Sequence, residues 1–135
     1  PKVAVLAAVE TVNATMPATL DAAALTVMAA RGQITGALVD GPLAFDNAIS
    51  PEAVATKGIV SQVAGEADIL LVPDLEAGNM LAKQLIYFAG ATAAGLVLGA
   101  RVPIVLTSRA DPLSARIASA ALAKLVAVRK AEGKA

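Results

Sequence analysis

The sequence predicts an α/β domain, with a layered and mainly parallel sheet and helices packed on it. Short apolar runs alternate with segments of helical spacing, which is the pattern of parallel strands joined by crossover helices. Hydrophobic residues make up 57% of the 135 residues and aromatic residues only 2%, so the core has to be aliphatic and rich in alanine. A chain of this length forms one compact domain and buries a core without disulfides.

The first half of the chain alternates strand and helix. Apolar residues recur at helical spacing between Pro17 and Gly32. These two residues mark the ends of the predicted helix, because proline favours the first turn of a helix and glycine the position after its last turn. Asp40-Gly41-Pro42 has the composition of a turn. The predicted elements are a strand at residues 3–9, a helix at about 16–31, a strand at 34–39, a turn at 40–42 and a loop at 43–50.

The second half continues this alternation. Ser50-Pro51-Glu52 is a typical helix start. Asp111-Pro112 is another, and Arg129 and Lys130 close the last helix with charges that suit its dipole. The predicted elements are a short helix from 53 to about 63, a strand at 69–72, a helix at 80–89, strands at 94–98 and 103–107, and a helix from 111 onward.

Charge and residue usage exclude several classes of function. Basic and acidic residues balance at 11 each, which gives no argument for binding to nucleic acid or to membrane surfaces. The chain contains no cysteine and no histidine. Disulfides, thiolate catalysis, a Ser-His triad and the usual zinc sites are therefore excluded. No apolar stretch reaches the length of a membrane span without a polar residue, glycine or proline.

The first candidate site is the segment at residues 68–79. A strand ends at Pro73-Asp74, and Gly78 and Asn79 precede the predicted helix. Open α/β sheets bind ligands where a strand passes through a glycine-containing turn into a helix, and the amides of the helix N-terminus hold anions. The alternative is an ordinary connection in which Asp74 or Asn79 caps the helix. The pattern alone favours this alternative.

The second candidate site comprises Ser108, Arg109 and Asp111, again between a strand and a helix. Arg109 can hold a phosphate through two parallel hydrogen bonds, and Ser108 can donate to a developing negative charge. In the alternative interpretation, which the pattern alone favours, Asp111 caps the last helix, Pro112 is its first residue and Arg109 is a solvated charge. Two such turns in one sheet are expected to share a crevice.

Asp40 and Asp46 are a third, weaker constellation. They could act as paired carboxylates, but a turn at Asp40-Gly41-Pro42 and an Asx-type loop at Asp46-Asn47 explain them more simply. Because no third ligand lies at a suitable spacing, we predict no metal site.

Five segments resemble the phosphate acetyltransferase and phosphate butyryltransferase family in its C-terminal part. The resemblance is greatest to the transferase portion of the bifunctional enoyl-CoA hydratase/phosphate acetyltransferase proteins. The segments follow the expected order over nearly the whole chain. They are residues 25–34, 39–48, 63–68, 72–79 and 107–109.

This resemblance implies an enzyme that moves an acetyl or short acyl group between CoA and inorganic phosphate. The CoA thiol attacks the acyl phosphate directly, with CoA as a substrate and no cofactor. The resemblance implies a two-lobed fold like the isocitrate and isopropylmalate dehydrogenases, of which part is expected here. It also implies a homodimer, which we expect to be cytoplasmic. By position, Ser108 would stabilise the thiolate or oxyanion and Arg109 would hold phosphate. Asp74, Gly78 and Asn79 would help to bind substrate.

The chain departs from acetyl-specific members after the Ser-Arg pair. Those members carry two aspartates where this chain has Leu113-Ser114-Ala115-Arg116. Asp111 is the carboxylate nearby, so the general base and the acyl preference stay open. We expect residues 1–98 to form one lobe and 99–135 to return into the other. Because the family's other phosphate-binding arginines precede the matching part, the 135 residues alone are expected to be inactive.

Two other classes of function are consistent with this fold. A dehydrogenase of the isocitrate type would need an aspartate cluster for metal and a nicotinamide site, and neither is evident in the sequence. A non-catalytic binding or dimerisation module would dimerise without binding CoA. Calorimetry with desulfo-CoA distinguishes these alternatives.

Overall fold

The computed structural model describes residues 1–133 and confirms the α/β class. The chain forms two compact units, Pro1–Met80 and a second from Leu81 onward. None of the described helices is long and apolar enough to cross a membrane. The elements are β1 (Lys2–Leu6), α1 (Pro17–Ala30), β2 (Leu38–Leu43), α2 (Phe45–Ile49), α3 (Pro51–Lys57), β3 (Ile69–Leu71), α4 (Leu75–Tyr87), β4 (Leu96–Val97), β5 (Ile104–Val105) and α5 (Leu113–Ala131).

The first unit is built on a three-stranded parallel sheet in the order β2-β1-β3. Helix α1 packs against β1 and β2, and it starts at Pro17 and ends before Gly32 as predicted. The core is made of small and aliphatic side chains, which lets helix and sheet approach closely. Its buried apolar members are Ala4, Val5, Leu6, Ala22, Leu43, Ala48 and Val63.

The prediction of the second strand is wrong in its position. Residues 34–37 are irregular, with bends and with Gly36 at a φ of 83°, and the strand begins at Leu38. The predicted turn at 40–42 is part of β2, where the Gly41–Pro42 peptide is cis and the register with β1 shifts. Burial explains the difference, because Leu43 belongs to the core. A bulge accommodates the glycine and proline inside the strand.

Gly41 is a position of close approach between β2 and β1. A Cβ built there would lie 2.7 Å from the carbonyl oxygen of Val5 and 2.8 Å from its Cβ. We therefore expect Gly41→Ala to lower the free energy of unfolding by about 1–3 kcal/mol through overpacking. Urea denaturation followed by circular dichroism measures this change. A denaturation curve with the same urea midpoint and the same slope as the wild-type protein would contradict the close contact.

The predicted loop at residues 43–50 contains the short helix α2, so that prediction is wrong. Asn47 and Ala48 are fully buried, and this burial orders a segment whose local sequence indicates a loop. The predicted helix start at Ser50 is confirmed, since its Oγ accepts a hydrogen bond from the Ala53 amide at 3.2 Å. The helix stops at Gly58, where φ is 64°, and not near residue 63.

The second unit contains an antiparallel pair of strands and the long helix α5. The predicted runs at 94–98 and 103–107 form β4 and β5, which pair with each other. Ser119, which is buried, donates to the carbonyl of Ala115 at 2.8 Å and accepts from the amide of Gly95 at 2.9 Å. The hydrogen bond from the Gly95 amide ties the chain before β4 to α5. The division into lobes at residue 98 stays a prediction.

Candidate functional site

The Ser108–Asp111 turn, comprising residues 108–111, joins β5 to α5 and is closed by reciprocal hydrogen bonds. The Ser108 amide donates to Asp111 Oδ2 at 2.6 Å, and the Asp111 amide donates to the Ser108 carbonyl at 3.2 Å. The prediction that Asp111 caps the helix is wrong, because Pro112 occupies the cap position without a side-chain hydrogen bond. The Asp111 carboxylate instead turns back to Ser108 and fixes the turn.

The turn leaves two groups available for an anion. Ser108 Oγ accepts from the Ala110 amide at 3.3 Å, and within residues 1–133 its hydroxyl hydrogen has no acceptor. The Arg109 side chain likewise makes no hydrogen bond or ion pair within those residues. A hydroxyl donor and a guanidinium on adjacent residues have the chemistry to bind a phosphate or to stabilise an oxyanion. One oxygen of Asp111 is already engaged by the Ser108 amide.

Arg116, in the first turns of α5, contacts the same turn. Its Nε donates to the carbonyl of Asp111 and its Nη2 to the carbonyl of Arg109, both at 3.3 Å. Sequence reasoning assigned Arg116 no role, because its partners are backbone carbonyls and carry no residue-type signal. The only cue is its position near the start of the helix that follows the turn.

The segment around Asp74 confirms the alternative interpretation, an ordinary strand-to-helix connection with Asp74 as the cap, but its helix begins earlier than predicted. Asp74 caps α4, since its Oδ1 accepts from the Ala77 amide at 2.7 Å, and this cap starts the helix at Leu75. The interpretation of Gly78 and Asn79 as turn residues is therefore wrong, because both lie inside α4. Gly78 has a packing reason, as a Cβ there would lie 2.8 Å from Val72 Cγ2.

Asn79 is exposed and lines an open surface cavity of about 510 Å³ with Leu75, Glu76 and Met80. Asp74, Gly78 and Asn79 belong to the first compact unit, whereas Ser108, Arg109 and Asp111 belong to the second. The prediction that both turns belong to one sheet is wrong, because β3 lies in the parallel sheet whereas β5 pairs with β4 in a separate one. The shared crevice and the substrate-binding role of the first group stay predictions.

A polar cluster that sequence reasoning missed follows the carboxyl ends of β1 and β2. Asn47 Nδ2 donates to Glu10 Oε2 at 3.1 Å, and Lys57 Nζ lies 3.1 Å from Asp46 Oδ2 and 3.5 Å from Glu10 Oε2. The hydrogen bond from Lys57 lowers the pKa of Asp46, and the same bond raises the pKa of Lys57. The predicted Asx-type loop at Asp46-Asn47 is instead the start of α2.

Asn47 in this cluster is fully buried, and its Oδ1 has no hydrogen-bond partner in the described part of the chain. Glu10 determines which end of the amide is the donor, because a carboxylate only accepts. The signal that could have revealed the cluster is the recurrence of acidic or amide residues soon after each of the parallel strands. In the described residues, no group of three or more His, Cys, Asp or Glu side chains converges as a metal site.

Comparison with known proteins gives the family. The family described as "Phosphate acetyl/butaryl transferase" matches residues 1–124, so the chain belongs to the phosphate acetyltransferase and butyryltransferase family, as the resemblance predicted. The chain is 66% identical over 130 residues to the phosphate acetyltransferase of Rhizobium meliloti, and the aligned region covers 96% of this chain and 41% of that protein. It is 61% identical over 123 residues to the probable phosphate butyryltransferase of Bacillus subtilis (strain 168), with coverages of 91% and 41%.

Solved structures agree with this assignment. A branched-chain phosphotransacylase from Enterococcus faecalis V583 superimposes with a TM-score of 0.80 at 41% identity, covering 92% of this chain and 44% of that one. The EutD phosphotransacetylase from Staphylococcus aureus superimposes with a TM-score of 0.72 at 26% identity, covering 92% and 39%. The chain therefore spans less than half of the length of the relatives that it matches.

Proposed function

We propose that this chain is part of an acyltransferase that moves an acetyl or short acyl group between CoA and inorganic phosphate. The observation that carries the proposal is the family match over residues 1–124. The Ser108-Arg109 pair supports it, because in the described residues the Ser108 hydroxyl hydrogen has no acceptor and the Arg109 guanidinium has no partner. The substrates are CoA, acyl phosphate and inorganic phosphate, and no cofactor takes part.

The reaction proceeds by direct displacement at the acyl carbon. The CoA sulfur forms a bond to the carbonyl carbon of the acyl phosphate, and the bond from that carbon to the phosphate oxygen breaks. The thiol proton ends on the released phosphate, so that atoms and charge balance without another reactant. A thiol has an ordinary pKa near 8.5, so a positive field beside the sulfur favours the attacking thiolate.

Three residues of the turn have a role in this scheme. Ser108 donates its hydroxyl hydrogen to the oxyanion or to the thiolate, and Arg109 holds the phosphate through charge-assisted hydrogen bonds. Asp111 holds the Ser108 amide and is the carboxylate of this turn. Asp74, Gly78 and Asn79 contribute to substrate binding. The enzyme acts as a cytoplasmic homodimer, in line with the resemblance, and the acyl-chain preference stays open.

The test is phosphate-dependent release of the CoA thiol by the full-length gene product. Acetyl-CoA and butyryl-CoA are supplied in turn, and a thiol-reactive dye measures free CoA. We expect thiol release that saturates with phosphate and leaves an acyl phosphate that hydroxylamine traps. Thiol release at the same rate without phosphate, or no release with either substrate by a folded protein, would contradict the proposal.

The 135 residues alone are expected to show no turnover. Relatives are more than twice as long, and the resemblance assigns further phosphate-binding arginines to sequence outside this part. Thiol release is measured with the 135-residue chain at the concentration at which the full-length gene product is active. Normal turnover by the short chain would show that it contains a complete site.

A further inference from the structure

The side chain of Arg116 contacts the Ser108–Asp111 turn at two carbonyls. One edge of its guanidinium donates to both, through Nε to Asp111 and through Nη2 to Arg109. A planar guanidinium fixes the relative direction of its N–H bonds, which a lysine ammonium does not. The two peptide planes that carry these carbonyls are therefore held in one orientation relative to α5.

Apart from the contacts of Arg116, the turn is held within residues 1–133 by its own solvent-exposed hydrogen bonds. The bonds between Ser108 and Asp111, and from Ala110 to Ser108, all lie within the turn. Such local bonds do not fix the turn against the rest of the unit, and exposed backbone bonds open readily. Helix α5 is long, and its buried Ser119 accepts a hydrogen bond from the Gly95 amide ahead of β4, so Arg116 connects the turn to an anchored helix.

We propose that Arg116 is a positioning residue, which holds the Ser108–Asp111 turn so that the Ser108 hydroxyl and the Arg109 guanidinium are directed at the ligand before it binds. This inference rests on the proposed acyl transfer. Arg116 acts through the backbone of Arg109 and Asp111 and does not need to touch substrate. Ordering the turn in advance removes the entropy cost from the reaction step, and small misplacements of a reacting group cost large factors in rate.

The test compares Arg116→Lys and Arg116→Met in the full-length gene product. Lysine keeps the charge but loses the two fixed N–H bonds, whereas methionine loses both. We expect both variants to lower kcat by about tenfold. Arg129→Lys, on an exposed position later in the same helix, is the matched control and should leave kcat unchanged. A lysine variant with normal kcat beside an impaired methionine variant would mean that charge matters, and would overturn the inference.

A double-mutant cycle separates positioning from general destabilisation. If Arg116 acts by placing Ser108, Arg116→Lys should have little further effect on kcat once Ser108 is alanine. Equal losses in both backgrounds would overturn the inference, since they would show that Arg116 acts independently of Ser108.

Hydrogen exchange tests the contact without relying on activity. In Arg116→Lys the amide of Ser108 should exchange about tenfold faster, whereas amides in the middle of α5 should not change. Unchanged exchange at Ser108 would overturn the positioning role. If Arg116→Lys speeds the exchange of the Ser108 amide as expected but the wild-type protein carries out no acyl transfer, the proposed function fails and the contact to the turn stands.

Discussion

Replacing Ser108 by alanine in the full-length gene product is expected to lower kcat by about 10²-fold to 10³-fold. The removal of one donor to an oxyanion costs a factor of this size in other enzymes. Ser108 carries the hydroxyl of the turn. Its backbone amide already donates to Asp111 and is therefore unavailable to the oxyanion. Steady-state rates of acyl phosphate formation measure the effect, with KM values expected to change little.

Ser114→Ala is the matched control for this prediction. Ser114 is an exposed serine in the first turn of α5, so its loss should leave kcat within about twofold, since surface changes seldom matter. A Ser108→Ala variant with the kcat of the control would show that the Ser108 hydroxyl does not stabilise the transition state.

Arg109→Ala is expected to raise KM for phosphate and for acyl phosphate by about 10-fold to 100-fold. Hydrogen bonds to charged groups contribute about 1.5–3 kcal/mol, and a guanidinium places two of them in parallel on a phosphate. KM for CoA should change less, because the loss concerns the phosphate. The measurement is a matrix of initial rates in which phosphate and acyl-CoA are both varied.

Arg109→Lys should recover part of the affinity for phosphate, since lysine keeps the charge but not the paired geometry. Arg129→Ala serves as the control for the loss of an arginine from the same unit. Equal KM values for phosphate in Arg109→Ala and in Arg129→Ala would contradict the role of Arg109.

Local signals in the sequence predicted several elements well. Pro17 and Gly32 bracket α1, and Ser50 caps α3, because capping depends on residues adjacent to the helix end. The strands β1 and β3 were predicted from short apolar runs, and they are the central and edge strands of the parallel sheet. These features needed no knowledge of distant contacts.

The errors in the predicted elements arise from packing contacts that the local composition does not reveal. Asp40-Gly41-Pro42 has the composition of a turn, but packing of Gly41 against Val5 makes it part of β2. The segment at 43–50 becomes helical around the buried Asn47. Gly78 resembles a turn glycine, but the close approach of α4 to Val72 accounts for it. Composition alone does not distinguish these cases.

The candidate site shows the same division. Ser108 and Arg109 were recognisable because a polar pair between a strand and a helix is a local pattern. The hydrogen bonds from Arg116 to backbone carbonyls have no residue-type signal. The Glu10–Asn47 contact joins two loops whose proximity depends on the pairing of β1 with β2.

Label transfer from phosphate most directly tests whether the protein moves an acyl group between CoA and phosphate. The full-length gene product is incubated with acetyl-CoA or butyryl-CoA and ³²P-labelled phosphate, and labelled acyl phosphate is compared with the CoA thiol released. The proposed reaction predicts equal amounts of the two products at every time point, and loss of both in Ser108→Ala. Thiol release without labelled acyl phosphate would show that water is the acceptor, and would contradict acyl transfer to phosphate.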